Sequence, residues 1–276
     1  MDDTHAIDAK AFHEFEHAGW ERAAAHYADA FGILTKKTTV PLLDAAGARD
    51  GVRLLDVACG PGFMAGAAAS RGADVIGLDF SPAMIAHART AHPLVQFREG
   101  DAEALPFDAA SFDAVIMNFG LLHLARPDTA IAEARRVLRP GGRYAFTIWA
   151  APDQAVGFGL VLKAVEAFGR LDVGLPEGPP FFRFSDADEC RHVLEEAGFN
   201  QIGVRTLPLT WTLPSPDGVF DAVTRGGVRT AAVLRALTPQ ALDEIRAAVR
   251  RSVERYARGD AFECPMPAVI ASATKP

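Results

Sequence analysis

The sequence predicts an α/β fold built on a doubly wound, mostly parallel sheet. Two observations carry that prediction. Through the first 150 residues, short apolar runs alternate with helical stretches, the pattern of parallel strands with helices on both faces. And polar residues close four successive apolar runs, at Asp56, Asp79, Asp101 and Asn118. Ligands of such sheets bind beyond the carboxyl ends of the strands, so these four side chains should converge on one crevice. A single strand-end acid would more simply be a turn or capping residue.

The elements follow in order. Residues 8–31 place Phe12, Phe15, Trp20, Ala23, Ala24, Tyr27 and Phe31 near a period of 3.6, an aromatic-rich helix. It precedes the first strand, so it is either a core helix or a lid. Strands are expected at 52–58, 74–80, 95–102, 112–120 and 143–150. Between them lie a small-residue helix (62–72), a helix opened by Ser81 as cap and Pro82 as first residue, and an amphipathic helix (128–138) stopped by RPGG. Further on, a helix (153–169), a Gly/Pro/Phe-rich loop containing PPFFRF and a helix (186–199) lead into one long strand (200–213). Two helices (about 216–236 and 239–258) precede a last strand (266–274). No helix follows that strand, so it should return antiparallel into the sheet as the seventh. The division is then a helical lid (1–50), a core (51–150), and the rest of the core (151–276) with a cap inserted at about 214–260.

Composition narrows the function. The chain has 276 residues, 49% hydrophobic, with a net charge of −7. That charge opposes wrapping of nucleic acid, which needs clustered Lys and Arg. Cys59, Cys190 and Cys264 form no metal-binding spacing, and an odd, sparse count suits a reducing compartment. The polar N-terminus does not resemble a signal peptide, and no apolar run reaches membrane-span length. The expected location is the cytoplasm, and no metal is indicated. The aromatic N-terminal helix, if exposed, could pair with a second copy as a homodimer.

The loop after the first strand poses the chemical question. Gly60, Gly62 and Ala65 fit G-x-G-x-x-[G/A], with Asp79 downstream, a dinucleotide fingerprint. This supports an NAD(P)-dependent oxidoreductase. Asp56 opposes it, because an acid at the mouth of the loop repels a pyrophosphate by energies on the order of a few kcal/mol. A ligand with a cationic group and no phosphate suits the loop better, and S-adenosylmethionine has an ammonium, a sulfonium, a ribose diol and an adenine.

The stretches LLDVACGPG, VIGLDFSPAMI, GDAEALPFDAASFDAVIMNFGLLHL and VLRPGGRYAFTIW cover about 52–149 in order. Together they resemble the class I S-adenosylmethionine-dependent methyltransferases, especially the small-molecule branch similar to ubiquinone/menaquinone C-methyltransferases. The resemblance implies a Rossmann-like, seven-stranded sheet and transfer of a methyl group to a small acceptor, leaving S-adenosylhomocysteine. It implies roles as well. Asp56, Ala58, Gly60, Pro61 and Gly62 lie along the methionine portion, and Asp79 accepts from both ribose hydroxyls. Phe80 and Met84 enclose the adenine, Gly100, Asp101 and Ala102 meet its edge, and Asn118 and Phe119 border the sulfonium. Ala58 departs from the pattern, since many members have glycine there. The tetrapeptide Asn118–Phe119–Gly120–Leu121 is not the N-P-P-[YFW] type of amino-directed DNA enzymes. An idle S-adenosylmethionine-binding protein of the same fold stays open as an alternative.

Methyl transfer needs alignment, exclusion of water and, for some acceptors, a base. His123 lies just past the fourth strand and has the chemistry of a general base. The plainer reading is a hydrogen-bonded histidine near a helix start. Tyr27 is the choice for closing over the cofactor, with Trp20 and Trp149 as further aromatic walls or core anchors. Arg225 and Arg229 would suit an acceptor carboxylate or phenolate.

Overall fold

In the computed structural model, which describes residues 7–276, the chain alternates strand and helix as its sequence requires. Residues 1–6, the start of the polar N-terminus, lie outside the described residues. The elements of the core are β1 (Arg53–Val57), α4 (Phe63–Ala69), β2 (Asp74–Asp79), α5 (Pro82–Ala91), β3 (Gln96–Glu99), β4 (Phe112–Asn118), α6 (Pro127–Val137) and β5 (Leu138–Trp149). They are preceded by α1 (Ala9–Tyr27), α2 (Ile33–Thr35) and α3 (Thr39–Ala46), and followed by α7 (Val156–Phe168), α8 (Ala187–Glu196) and β6 (Asn200–Leu207). Then come β7 (Thr210–Leu213), α9 (Gly218–Gly226), α10 (Arg229–Arg235), α11 (Pro239–Val253), β8 (Ala257–Arg258), β9 (Ala261–Pro265) and β10 (Ala268–Thr274).

The seven-stranded sheet has the order β3-β2-β1-β4-β5-β10-β6. β1 to β5 run parallel, and β10 lies antiparallel between β5 and β6, with Ala268 opposite Trp149. Strand alternation feeds two cores. Leu54, Ala114 and Ile116 pack with α3, α4 and α5 on one face. Leu55, Val57, Val115 and Met117 pack with α6, α7 and α8 on the other. The order reverses between β1 and β4, so their carboxyl ends open a crevice there.

Three expectations change. The strand expected over 200–213 breaks at Pro208, which has no N–H to continue a ladder. Its second half, β7, joins β9 and β8 in a separate three-stranded sheet. The helix expected over 216–236 is two helices, interrupted at Gly227 and Val228. The N-terminal helix ends at Tyr27 in a π turn (Ala28–Gly32) and continues through α2 and α3. Its apolar stripe is turned largely inward, with Phe12, Ala23, Ala24 and Phe31 buried.

Candidate functional site

The crevice beyond β1, β2 and β4 forms a cavity open to solvent, about 670 Å³ with the solvent at its mouth included. Asp79, Asp101 and Asn118 reach it from three strand ends, while Asp56 lies in an adjoining recess that Asn118 also borders. The sheet thus gathers the four strand-end residues as their positions require.

Asp79 is held by its neighbours. The Gly60 N–H donates to one carboxylate oxygen (2.8 Å) and the Ser81 N–H to the other (2.9 Å). Burial raises its pKa to about 6, against the pull of those two N–H groups, with the nearby Glu21 charge adding to the rise. Each oxygen keeps a further lone pair for a ligand hydroxyl. Asp101 is a turn acid, its Oδ1 accepting from the Glu103 N–H (2.8 Å). It lines the cavity with the backbone of Gly100 and the buried Ala102. Met84, buried on α5, and Phe80 form one wall. His13 and His17 of α1 meet the Phe80 ring edge-on at 5.5 and 5.3 Å.

Asp56 is fully buried, and neither carboxylate oxygen has a well-formed hydrogen bond. Burial pushes its pKa to about 8; the Ala65 N–H opposes this weakly, and the Asp79 charge adds to it. Its recess is bordered by Tyr27, Thr35, Ala58, Gly60 and Pro61. Gly62 borders neither space. It is the left-handed entry to α4 (φ 81°), and a Cβ there would lie 2.9 Å from the Phe97 ring. Cys59 is buried, and burial holds its thiol well above the usual range, which disfavours a thiolate.

Asn118 is occupied within the protein. Its Oδ1 accepts from the Thr38 and Thr147 hydroxyls (2.8 and 2.5 Å), tying α3, β4 and β5 together at the rim. Phe119 follows in left-handed backbone (φ 56°) and stacks on Trp149 at 4.0 Å. Tyr27 donates to Thr35 Oγ1 (3.3 Å), and its surroundings push the phenol up to about 12, chiefly by burial.

A second cavity of about 520 Å³ adjoins the first and shares Trp20, Tyr27, Phe119 and His123 with it. Its remaining wall is mainly apolar: Phe31, Trp149, Phe158, Phe181, Val223 and Val228. The PPFFRF loop therefore does contribute, through Phe181. Arg229 borders this space, but it is committed elsewhere. Its nitrogens donate to Glu16 Oε1, the Pro179 carbonyl and the Leu122 carbonyl, each at 2.9 Å. Arg225 is exposed and lies outside both cavities. Of the two arginines expected to select an anionic acceptor, Arg229 thus borders the second cavity while paired with Glu16, and Arg225 lies outside it.

Two residues of this region are not among those expected from the sequence. Glu16 is buried on the α1 stripe, with Oε2 2.9 Å from His123 Nδ1. An acid at an apolar stripe position, four residues after Phe12 and four before Trp20, was the available cue. Glu21 accepts from the Ser81 hydroxyl (2.5 Å) and the Ala83 N–H (3.2 Å) at the start of α5.

Comparison with known proteins fits this geometry. Residues 55–146 match the family model described as a methyltransferase domain. The chain is 37% identical over 180 residues to the demethylmenaquinone methyltransferase of Beutenbergia cavernae, covering 60% of this chain and 72% of that protein. The chain belongs to the class I S-adenosylmethionine-dependent methyltransferases. The enzyme takes its methyl group from S-adenosylmethionine and passes it to a small-molecule acceptor, so the oxidoreductase and idle-binder readings are not favoured. Among solved structures, the methyltransferase shares its fold with Haemonchus contortus phosphoethanolamine N-methyltransferase 2 in complex with S-adenosyl-L-methionine. That match has a TM-score of 0.59 at 19% identity and covers 96% of this chain and 60% of the other. The [4+2]-cyclase SpnF also resembles the methyltransferase (TM-score 0.53, 25% identity, 87% of this chain and 80% of the other). The fold by itself therefore does not dictate methyl transfer. Among the described residues, no helix is long and apolar enough to cross a membrane, and no cluster of His, Cys, Asp and Glu could hold a metal ion.

Proposed function

We propose that the first cavity holds S-adenosylmethionine, that the second holds an uncharged, largely apolar acceptor, and that methyl transfer occurs at the wall they share. The observation that carries this is the buried, unpartnered Asp56 carboxylate, 0% exposed beside a recess. A buried acid without a partner is costly, and a cationic ligand group removes the cost. The cofactor's ammonium supplies that group. Asp79 accepts from the ribose hydroxyls through its free lone pairs. Phe80 and Met84 enclose the adenine, while Gly100, Asp101 and Ala102 meet its polar edge. Ala58, Gly60 and Pro61 run beside the methionine chain. Gly62 acts at one remove, by shaping the loop. Asn118 acts through position too, holding the rim with Thr38 and Thr147, while Phe119 faces the reacting end.

Bound there, S-adenosylmethionine supplies an activated methyl group and a neutral leaving group. The chain's own task is alignment, exclusion of water and proton removal. Trp20 and Tyr27 roof the junction, and Phe119 and Trp149 stack beneath it. His123, which borders both cavities, takes the proton from the acceptor atom as that atom gains the methyl group. Since Arg229 is already paired with Glu16 and each of its three nitrogens donates within the protein, the acceptor pocket offers no unpaired cation for a carboxylate; aromatic rings bearing a hydroxyl, amine or acidic C–H fit it best. A net charge of −7 also favours such molecules over nucleic acid, and three unpaired buried cysteines suit a reducing, cytoplasmic setting. Residues 1–50 serve as lid, 51–150 as cofactor core, and 151–276 complete the core and carry the cap at about 214–260.

Calorimetric titration with S-adenosylmethionine, S-adenosylhomocysteine and NAD(H) tests the cofactor assignment. Binding of NAD(H) without the sulfonium compound would overturn it. Mass spectrometry over a panel of apolar hydroxylated and aminated aromatics, with carboxylated analogues alongside, tests the acceptor class. Preference for the carboxylates would refute an uncharged acceptor. His123→Ala is expected to lower kcat on the order of 10²-fold or more while S-adenosylhomocysteine still binds.

A further inference from the structure

Glu16, His123 and Arg229 come from three separate elements, α1, the turn after β4 and α10, and meet beside the shared wall of the two cavities. Glu16 is 0% exposed. One of its oxygens lies 2.9 Å from His123 Nδ1 and the other accepts from Arg229 Nε at 2.9 Å. Burial of a carboxylate is tolerated when it is paired and its lone pairs are engaged. Here the guanidinium is itself fixed by two carbonyls and lies 4.3 Å over the Phe12 ring. Paired with that guanidinium, the Glu16 carboxylate is an acceptor toward the ring. An ionised carboxylate at Nδ1 places the ring proton on Nδ1. Nε2 then carries the lone pair, and it has no partner among the described residues, where His123 borders both cavities. The Trp20 indole meets the imidazole edge-on at 4.8 Å and limits its rotation.

We infer that Glu16 is a positioning residue for methyl transfer: it fixes the tautomer and orientation of His123, with Arg229 as its counter-ion. The inference rests on His123 being the base of the proposed reaction. As the acceptor's new bond to the methyl carbon forms and the sulfur–methyl bond breaks, the acceptor proton passes to Nε2. The sulfur keeps the bonding pair as a thioether. The Nδ1 proton stays where it is, and the imidazolium that results is stabilised by Glu16. The arrangement also ties the base to the lid, since α1 must be docked for Glu16 to reach the ring. A purely structural clip would make the same contacts but would not depend on which nitrogen holds the proton.

The test is nitrogen NMR of full-length protein labelled in its histidine rings, with S-adenosylhomocysteine added, at a pH where the ring is neutral. His123→Gln supplies the assignment. In the unaltered protein, His123 is expected to show a protonated Nδ1 and a bare Nε2. Glu16→Gln should lose the fixed tautomer and give a mixture, while calorimetry shows that S-adenosylhomocysteine still binds. Arg229→Lys should keep the tautomer, because Glu16 and a positive charge remain, although the two carbonyl contacts are weakened. If Glu16→Gln does not fold, Glu16→Asp is read in its place; withdrawing the carboxylate by one methylene should release the tautomer as well. A proton on Nε2 in the unaltered protein, or an unchanged ring spectrum in the Glu16 variant, overturns the inference. Failure of the unaltered protein to bind S-adenosylhomocysteine would instead count against the cofactor assignment, and the tautomer could still be read in the free protein.

Discussion

Ala58 and Phe119 end two neighbouring strands with φ of 54° and 56°, in the left-handed region that L side chains avoid. Both border the first cavity. For Ala58 the strain has no visible compensation from its methyl, which instead lies where a Cβ on Gly120 would fall within 2.8 Å of it. Ala58→Gly should therefore stabilise the protein by about 1 kcal/mol, the left-handed cost less the added backbone entropy of glycine. A thermal melt should show a rise of about 2–4 °C.

The two buried acids set a pH dependence at the same scale. Burial raises Asp56 to about 8 and Asp79 to about 6 in the folded protein, both above the ordinary aspartate value of 3.8. The folded, ligand-free protein thus holds protons that the unfolded chain releases. Stability from these residues is full below about pH 4 and is lost as pH rises, through about 6 for Asp79 and about 8 for Asp56. At about 1.4 kcal/mol per pH unit, the Asp56 share is on the order of several kcal/mol. Melting of the free protein should therefore fall between pH 5 and 8, and Asp56→Asn should flatten that fall. Ligand binding has the opposite sign, because an ammonium and a ribose diol favour both carboxylates ionised. S-adenosylhomocysteine affinity should rise from pH 5 to 8, with proton release seen calorimetrically as a dependence on buffer ionisation heat. Asp79→Asn should weaken binding by about 1.5–3 kcal/mol, the range of hydrogen bonds to a charged group.

Among elements, α1 does the work of a roof, and Glu21 fastens it. Its carboxylate accepts from Ser81 and Ala83 at the first turn of α5, so one side chain both joins the lid to the core and meets a helix N-terminus. Glu21→Ala should destabilise by about 1 kcal/mol, the usual size of a lost cap. Hydrogen exchange should quicken along α1 and leave β1 and β4 protected. Regular strands were legible in the sequence because short apolar runs closed by a polar residue recur at β1, β2 and β4. The switch of sheet at Pro208 is not legible in the sequence, because the run on each side of it is strand-like; only β9 as a partner moves β7 to another sheet. The π turn after Tyr27 likewise lacks a local signal, since Ala28–Phe31 would suit an ordinary helix. Its backbone is decided by what it packs against: a Cβ on Gly32 would lie 2.9 Å from Phe63.

At the scale of the whole molecule, α1 packs closely against the segment that joins α9 to α10, and both border the cavities. Gly19 permits this, because a Cβ there would stand 2.2 Å from Val228 Cγ1. Gly19→Leu should hold α1 away from α10, weaken S-adenosylhomocysteine binding at least tenfold and leave the sheet folded, as calorimetry and circular dichroism would show. The sequence by itself determined the sheet, its antiparallel last strand and the crevice at the strand ends, since each follows from local periodicity and from residues at strand ends. Roles such as that of Gly62, and the fate of Arg229, were settled by the tertiary structure. So was the Glu16–His123 contact, which joins residues more than a hundred positions apart. Such pairings leave no periodic trace, because they depend on how a helix and a cap, each regular alone, come to face the same cavity.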